Sequence, residues 1–254
     1  DWSSDVCSSD LEDRYRILGD PEHIDINLDE IFSERHIATR RSEIDMKRAN
    51  TSHKRYPAEG NDTTYFLVAD RDGNAVSWIQ SVFHGFGASW AIPNTGIILN
   101  NRLTGFSLSK DSPNLIAPGK RPAHTLNAWI ATRRDGSLAH VGGTPGANIQ
   151  VQTNFQLLVN AIDLGMNPQE NAEAPRWQHL AKGGSSDIEN FDGVLQIEKR
   201  VEYSVLSELK ERGHEVHELS EFGHGSSVQL LEVSPDGTFI AGSDPRAEGH
   251  AAGI

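Results

Sequence analysis

Apolar and polar positions divide the chain at residue 63. Downstream, 64–69 and 75–82 are rich in β-branched and aromatic residues and flank Asp70-Arg71-Asp72-Gly73-Asn74, a turn sequence. This arrangement predicts a β-hairpin that begins at Thr63. Residues 127–132 and 138–142 repeat the pattern around Asp135-Gly136 and predict a second hairpin. Phe155, Leu158, Val159 and Ile162 then recur at helical spacing ahead of Gly165, which predicts a core helix with a glycine stop. Asn167-Pro168-Gln169-Glu170 combines an N-cap residue, a proline at the first helical position and an acid at the third, so a short helix should run to about Ala174. Val201, Val205 and Leu209 place an amphipathic helix before Gly213, and late strands are expected at 194–198, 215–219, 228–233 and 238–241. Hairpins with interspersed long helices predict a layered α+β domain over 63–254.

Upstream the character differs. Residues 12–62 are strongly charged, with Pro21 after Gly19-Asp20, a mixed helical pattern over 28–47 and a polar loop over 50–62 that ends at Thr63. Residues 1–11 are rich in Ser and Asp, lack either periodicity, and read as a non-native or disordered leader. Neither an internal repeat nor a coiled-coil pattern is present.

Composition narrows the function classes. The 254 residues carry 23 basic and 36 acidic side chains, a net charge of −13, with no Lys/Arg cluster able to track a phosphate backbone, so nucleic acid is not an expected partner. Cys7 is the single cysteine, which excludes a disulfide framework and a cysteine-based metal site. No apolar run approaches the roughly 18 residues of a bilayer span. The first residue is Asp rather than Met, so the native N-terminus and any signal peptide are expected to lie upstream, and the compartment stays open.

Candidate chemistry starts at Asn61-Asp62-Thr63-Thr64-Tyr65. A threonine hydroxyl needs a base beside it to act as a nucleophile, and the α-amino group of an N-terminal threonine is such a base. An internal Thr63 would be inert, and by itself the pentapeptide reads as two threonines opening a strand. Gly143-Thr144-Pro145-Gly146-Ala147 is glycine-rich but matches neither phosphate-binding pattern. His214 and His217 lie three apart in an expected strand, which turns them to opposite faces and argues against a shared metal. His84, in the Gly-flanked loop after the second strand, is a candidate to line a pocket, with a purely structural histidine as the alternative.

Five segments in fixed order change the weight of Thr63. Thr63-Thr64-Tyr65 with Asp70-Arg71-Asp72-Gly73-Asn74-Ala75-Val76, Pro93-Asn94-Thr95-Gly96-Ile97-Ile98-Leu99-Asn100-Asn101, Pro118-Gly119-Lys120-Arg121-Pro122, Gly143-Thr144-Pro145-Gly146-Ala147 and Gly242-Ser243-Asp244-Pro245-Arg246 together resemble the small subunit of the gamma-glutamyltranspeptidase family. The resemblance covers 63–254 and, more weakly, 12–50.

It implies a four-layer αββα fold of the N-terminal-nucleophile hydrolase type, with 12–62 as the end of a large-subunit segment and its processing loop. It further implies self-cleavage between Asp62 and Thr63, attack by the Thr63 hydroxyl on an amide, a hydrogen bond to it from Ser81, and an oxyanion hole at Gly146 and Ala147. Ala147 replaces a glycine of the family, so the hole survives only if that position needs no left-handed backbone. The implied substrate residues are Asn101, Arg102, His124 and Thr125. The implied partners are a small amide or gamma-glutamyl substrate and the chain's own large-subunit segment, with no cofactor and no metal.

At the family's glutamyl-binding positions the chain departs from the pattern, with Phe83 for an asparagine, Arg102 for a glutamine, Gly105 for an aspartate and His124-Thr125 for a serine pair. These changes resemble a divergent branch that includes oxamate amidohydrolases and acylases, and an arginine there suits a carboxylate. The expected activity is therefore an amidohydrolase or acyltransferase on a non-glutamyl, carboxylate-bearing amide. The alternatives are an authentic gamma-glutamyl transferase or hydrolase acting on glutathione-like donors, and an unprocessed, non-catalytic binding protein.

Overall fold

The computed structural model describes residues 13–50, 62–181 and 193–253. The leader over 1–11 and nearly all of the polar loop before Thr63 lie outside the described residues. The upstream segment contains a helical turn over 13–17 and two helices, α1 (Leu28–Ile31) and α2 (Glu34–Ser42), so the mixed helical pattern over 28–47 resolves into two pieces. Asn27 caps α1 and Ser33 caps α2. Asp13 binds this segment together, accepting from Arg40, from Arg16 and, across 2.7 Å, pairing with His36.

From residue 62 the described residues form three sheets. The first is the expected hairpin, β1 (Asp62–Ala69) with β2 (Ala75–Phe83). Its turn closes through Asp70, whose carboxylate accepts from the backbone of Asp72 and Asn74, while Gly73 takes φ +86°. The second sheet has the order β3-β4-β8-β9, from β3 (Trp129–Thr132), β4 (Leu138–Gly143), β8 (Gln229–Val233) and β9 (Phe239–Ser243). The third joins β5 (Trp177–Ala181), β6 (Gly193–Glu198) and β7 (Val216–Leu219). There β6 and β7 run parallel, as a strand pair linked by a crossover helix must. That helix is α5 (Tyr203–Glu211), which packs Leu206 and Leu209 on Leu195 and Ile197.

The hairpin lies face to face with the second sheet. Tyr65 sits so closely over Gly143 that a Cβ there would stand 2.5 Å from the tyrosine ring. Helix α4 (Pro168–Glu173) packs on the opposite face of that sheet, with Pro168 against Gly242 of β9. Its Asn167 and Glu170 form the full capping box expected from the sequence. Three layers of the sandwich are thus present. Phe66, Val68, Val76 and Trp78 on the outer face of the hairpin remain exposed, so no fourth layer covers them among the described residues.

Two helical faces depart from expectation. Helix α3 (Ile149–Ile162) exists, but its buried positions are Ile149, Gln150, Gln152, Thr153, Asn154 and Leu157, whereas Phe155, Leu158 and Val159 are half-buried and Ile162 is exposed. The physical reason is hydrogen bonding rather than apolar burial. Gln152 exchanges two bonds with the His179 backbone, Gln156 does the same at Trp177, and Gln150 and Asn154 hold Asn127. A polar seam therefore ties α3 to the strands around it, and periodicity of apolar residues cannot report it. In α5 the inward position is Leu206 rather than Val205, which is 42% exposed. Among the described residues no helix is long and apolar enough to cross a membrane.

Candidate active site

Thr63 is the second residue of β1, paired with Ser81 of β2. A bulge follows from the register, which pairs Asp62 with Phe83 and Thr63 with Ser81, leaving Val82 unmatched. Both hydroxyls point to the inner face, and Thr63 Oγ1 donates to Ser81 Oγ across 2.9 Å. Ser81 Oγ also accepts from the Phe83 amide at 2.9 Å. The bulge forces Phe83 to φ +80°, a left-handed value that costs a bulky residue about 1–3 kcal/mol. Its ring is buried and supports Arg102, whose guanidinium carbon lies 4.2 Å from the ring centroid.

The loop after β4 stands beside Thr63, and Thr63, Pro145 and Ser227 line one wall of an open cleft of about 1420 Å³. Thr144 is fully buried and its Oγ1 accepts from the Ser227 amide at 3.2 Å, which fixes the loop. Gly146 takes φ +136° and Ala147 φ +49°. The condition set by the sequence is not met, because position 147 is left-handed, but the condition itself was too strict: alanine adopts that backbone here and keeps its N–H. The Gly146 and Ala147 amides have no acceptor among the described residues, although the carbonyls of both accept from the first turn of α3. Two N–H groups without an acceptor, in a loop whose Pro145 shares the cleft with Thr63, have the chemistry to stabilise a developing negative oxygen.

Replacing Ala147 by Gly removes the left-handed penalty of roughly 1–2 kcal/mol and restores unfolded-chain entropy of about half that size. The variant is expected to be more stable by about 1 kcal/mol or less, a rise in Tm of a few degrees by thermal denaturation; a fall would show that the Ala147 methyl group packs to advantage.

The four residues implied for substrate do not line the cleft. They form a separate wall beyond Phe83. Arg102 opens a short 3-10 turn (Arg102–Gly105) and its Nη1 donates to Thr125 Oγ1 at 3.3 Å. Asn101 spends its side-chain oxygen on the His84 amide at 3.1 Å. His124 Nδ1 accepts from the Leu126 amide at 3.2 Å, and burial, then Arg102 and Arg14, hold the ring below its ordinary pKa, so it is neutral. His84 packs its ring against Phe83 at 4.2 Å. Gly105 contributes only its backbone, accepting from Asn114.

His214 is buried with its ring 6.0 Å from that of His179, while His217 is exposed, so the two do not converge, and among the described residues no group of three or more metal-ligating side chains forms.

Two features escaped the sequence. Arg14, from the helical turn over 13–17, donates to Asn148 Oδ1 and to the His124 carbonyl, bridging the 146–148 loop and the wall. Its segment carried only a weak resemblance. The second is a buried charge network behind the loop. Glu198, with no exposed surface, accepts from Arg246, Arg200 and the amides of Arg176 and His224. Asp244 accepts from Arg176 at 2.5 Å and from the Val228 amide at 2.8 Å. Here the Ser243-Asp244-Pro245-Arg246 motif was visible, but not its role as a clamp.

Known proteins are similar to this chain in fold and in sequence. The family model described as gamma-glutamyltranspeptidase matches residues 5–254. The glutathione hydrolase-like YwrD proenzyme of Bacillus subtilis is 34% identical over 247 residues, covering 95% of this chain and 45% of its own length. The oxamate amidohydrolase proenzyme of Klebsiella pneumoniae is 34% identical over 246 residues, covering 93% and 43%. The crystal structure of cephalosporin acylase from Bacillus halodurans superposes with a TM-score of 0.84 at 30% identity, covering 98% of this chain and 44% of that one. The α+β architecture expected from the sequence is thus that of the acylase, and the chain spans less than half the length of the curated relatives it matches. With a family match over nearly its whole length, the chain belongs to the gamma-glutamyltranspeptidase family.

Proposed function

We propose that this chain is the catalytic part of a self-processing amidohydrolase that works through an acyl-enzyme on Thr63. The supporting observation is the Thr63–Ser81 hydroxyl pair in a cleft whose lining includes Pro145, directly before the Gly146 and Ala147 amides, which have no acceptor among the described residues. Cleavage between Asp62 and Thr63 frees an amino group that takes the hydroxyl proton as Thr63 attacks the substrate carbonyl. The two amides receive the oxyanion, each worth on the order of 3 kcal/mol. The same amino group returns the proton to the leaving amine, and water then releases the acyl group. The large-subunit segment is the partner that completes the site.

The wall of Asn101, Arg102, His124 and Thr125 supports an acyl group bearing a carboxylate, and hydrolysis over transpeptidation. Arg102 offers a planar donor fork, and Gly105 supplies no acceptor for an ammonium. The complete reading frame should therefore turn over oxamate or a related short acyl amide at least ~10-fold faster in kcat/KM than a gamma-glutamyl anilide, about 1.4 kcal/mol of discrimination. Turnover of the anilide alone would overturn the substrate reading and favour a glutathione-type donor. A folded chain that never splits before Thr63 would favour a non-catalytic binding protein.

A further inference from the structure

Thr144 stands between two backbone groups. Its Oγ1 donates to the Pro145 carbonyl at 2.7 Å and accepts from the Ser227 amide at 3.2 Å, and the residue has no exposed surface. The hydroxyl is thus held from both sides and water does not compete for it.

The bond to Pro145 also orients the next amide. A trans peptide is planar, with its C=O and its N–H pointing in opposite directions. The Pro145 carbonyl and the Gly146 N–H belong to one such peptide. Holding the carbonyl against a buried hydroxyl therefore turns the Gly146 N–H away from the buried side. Thr144 is the single donor that the Pro145 carbonyl meets among the described residues.

The following peptide is held differently. The Gly146 carbonyl accepts from the Ile149 amide at 3.0 Å, so the first turn of α3 sets the direction of the Ala147 N–H. The Pro145–Gly146 peptide lies outside that turn. Glycine at 146 takes φ +136°, and a Cβ there would stand 2.7 Å from the Ile149 side chain. A residue so free to rotate cannot by itself fix the amide on its N-terminal side, so the orientation comes from Thr144.

The other end of this relay is firmly anchored. Ser227 sits between Ser226, whose hydroxyl accepts from Arg176 Nη1 at 3.1 Å, and Val228, whose amide donates to Asp244 at 2.8 Å. Arg176 and Asp244 are buried and paired with each other. The charge network behind the loop therefore ends, through Ser227, on the Thr144 hydroxyl.

We propose that Thr144 is a positioning residue of the reaction: its hydroxyl, anchored on Ser227, aims the Gly146 N–H at the oxygen that becomes negative when Thr63 attacks. This rests on the Thr63 reading and adds to it a residue that touches neither substrate nor nucleophile. A donor aimed at that oxygen matters most when the charge develops, so its misplacement lowers kcat and leaves KM nearly unchanged.

Steady-state kinetics of the complete reading frame tests the role, on oxamate or the gamma-glutamyl anilide, whichever the parent turns over. Thr144→Val keeps the shape and deletes the hydroxyl; kcat should fall roughly 10-fold or more, with KM within about 3-fold of the parent. Thr144→Ser restores a hydroxyl and should recover kcat to within about 3-fold of the parent. Each variant is also made as two co-expressed chains, the second starting at Thr63, so that slow self-cleavage does not pass for slow turnover. Should Thr144→Val fail to fold, Thr144→Ala, which leaves room for a water on the Ser227 amide, is measured instead and should show the same loss.

Parent-like kcat in the folded variant, a loss carried wholly by KM, or a Thr144→Ser protein as slow as Thr144→Val would each overturn the proposal and leave Thr63 as the nucleophile. Thr63→Ala identifies the other failure: turnover that survives it removes the Thr63 reading, and the positioning role with it.

Discussion

Thr63→Ala in the complete reading frame is expected to remain a single uncut chain and to lose turnover by roughly 10⁴-fold or more, the usual consequence of deleting a nucleophile. Intact-mass analysis reads the first effect and single-turnover kinetics the second. The hydroxyl pair carries this expectation. Thr63 Oγ1 donates a hydrogen bond to Ser81 Oγ, which the Phe83 amide holds from the other side, so the Thr63 hydroxyl is fixed in one rotamer before any substrate arrives. Thr63→Ser keeps the oxygen and should still split, more slowly, because the extra rotational freedom of serine loosens that orientation. Ser81→Ala removes one neutral hydrogen bond and leaves the Phe83 amide unpaired, a change worth about 1–3 kcal/mol and hence roughly 5- to 150-fold in rate. A Thr63→Ala chain that splits normally would show that the cut lies elsewhere and that the hydroxyl pair is only a strand contact.

How far this site was legible depended on how local its causes are. The hairpin from residue 62 to 83 follows from Asp70 and Gly73, and the turn chemistry is written in five consecutive residues. The capping box at Asn167 and Glu170 is written in four. The Thr63–Ser81 pair was implied by the family resemblance alone, and the hairpin register is the physical cause that carries one residue to the other. The bulge that turns Phe83 to positive φ was not, since no glycine or asparagine marks it. Ala147 makes the same point in reverse: its left-handed backbone is imposed by the loop clamped through Thr144 and Ser227, not by its own preference.

Polar burial was the larger gap. Arg14 meets Asn148 and His124 across 134 and 110 residues of chain, a separation that no periodicity encodes. Similarly, Gln150, Gln152 and Asn154 look like the solvent face of an amphipathic α3, yet they are buried because each completes backbone hydrogen bonds of a neighbouring strand or loop. Hydrophobic patterning predicts which face of a helix avoids water only when the neighbours are apolar. The exposed row of Phe66, Val68, Val76 and Trp78 shows the complementary case, in which an apolar strand face was predicted correctly as strand but stands uncovered among the described residues.

The charge network yields the largest expected effect on stability. Glu198→Gln should destabilise the fold by about 3–5 kcal/mol, because it leaves the buried guanidiniums of Arg176 and Arg246 to share the one carboxylate of Asp244, takes from Arg200 its carboxylate, and turns an amide N–H₂ toward other donors. For a domain of this size that is a fall in Tm of roughly 6–20 °C. Glu208→Gln, which breaks an exposed helical pair with Arg212, should change stability by less than about 1 kcal/mol and serves as the control.

Acid should mimic the mutation. Burial would raise the Glu198 pKa, but the bonds from Arg246 and the His224 and Arg176 amides outweigh it and hold it below the ordinary value, so its contribution is complete above pH 4.5 and is lost as pH falls through the folded pKa. His224 acts in the same direction from a higher pH. Burial, then Arg176 and Arg246, push it down to about 3, so below the ordinary histidine value of 6.5 the unfolded chain takes up a proton that the folded chain refuses. Urea denaturation should therefore show stability level above pH 7 and falling steadily from pH 6.5 toward pH 3, by on the order of 1 kcal/mol per unit from His224 alone. His224→Gln should flatten the upper part of that slope while leaving the part below pH 4.5. A profile that is flat between pH 6.5 and 4.5 would mean that His224 is protonated in the folded chain and that the cluster carries one more positive charge than its geometry accommodates.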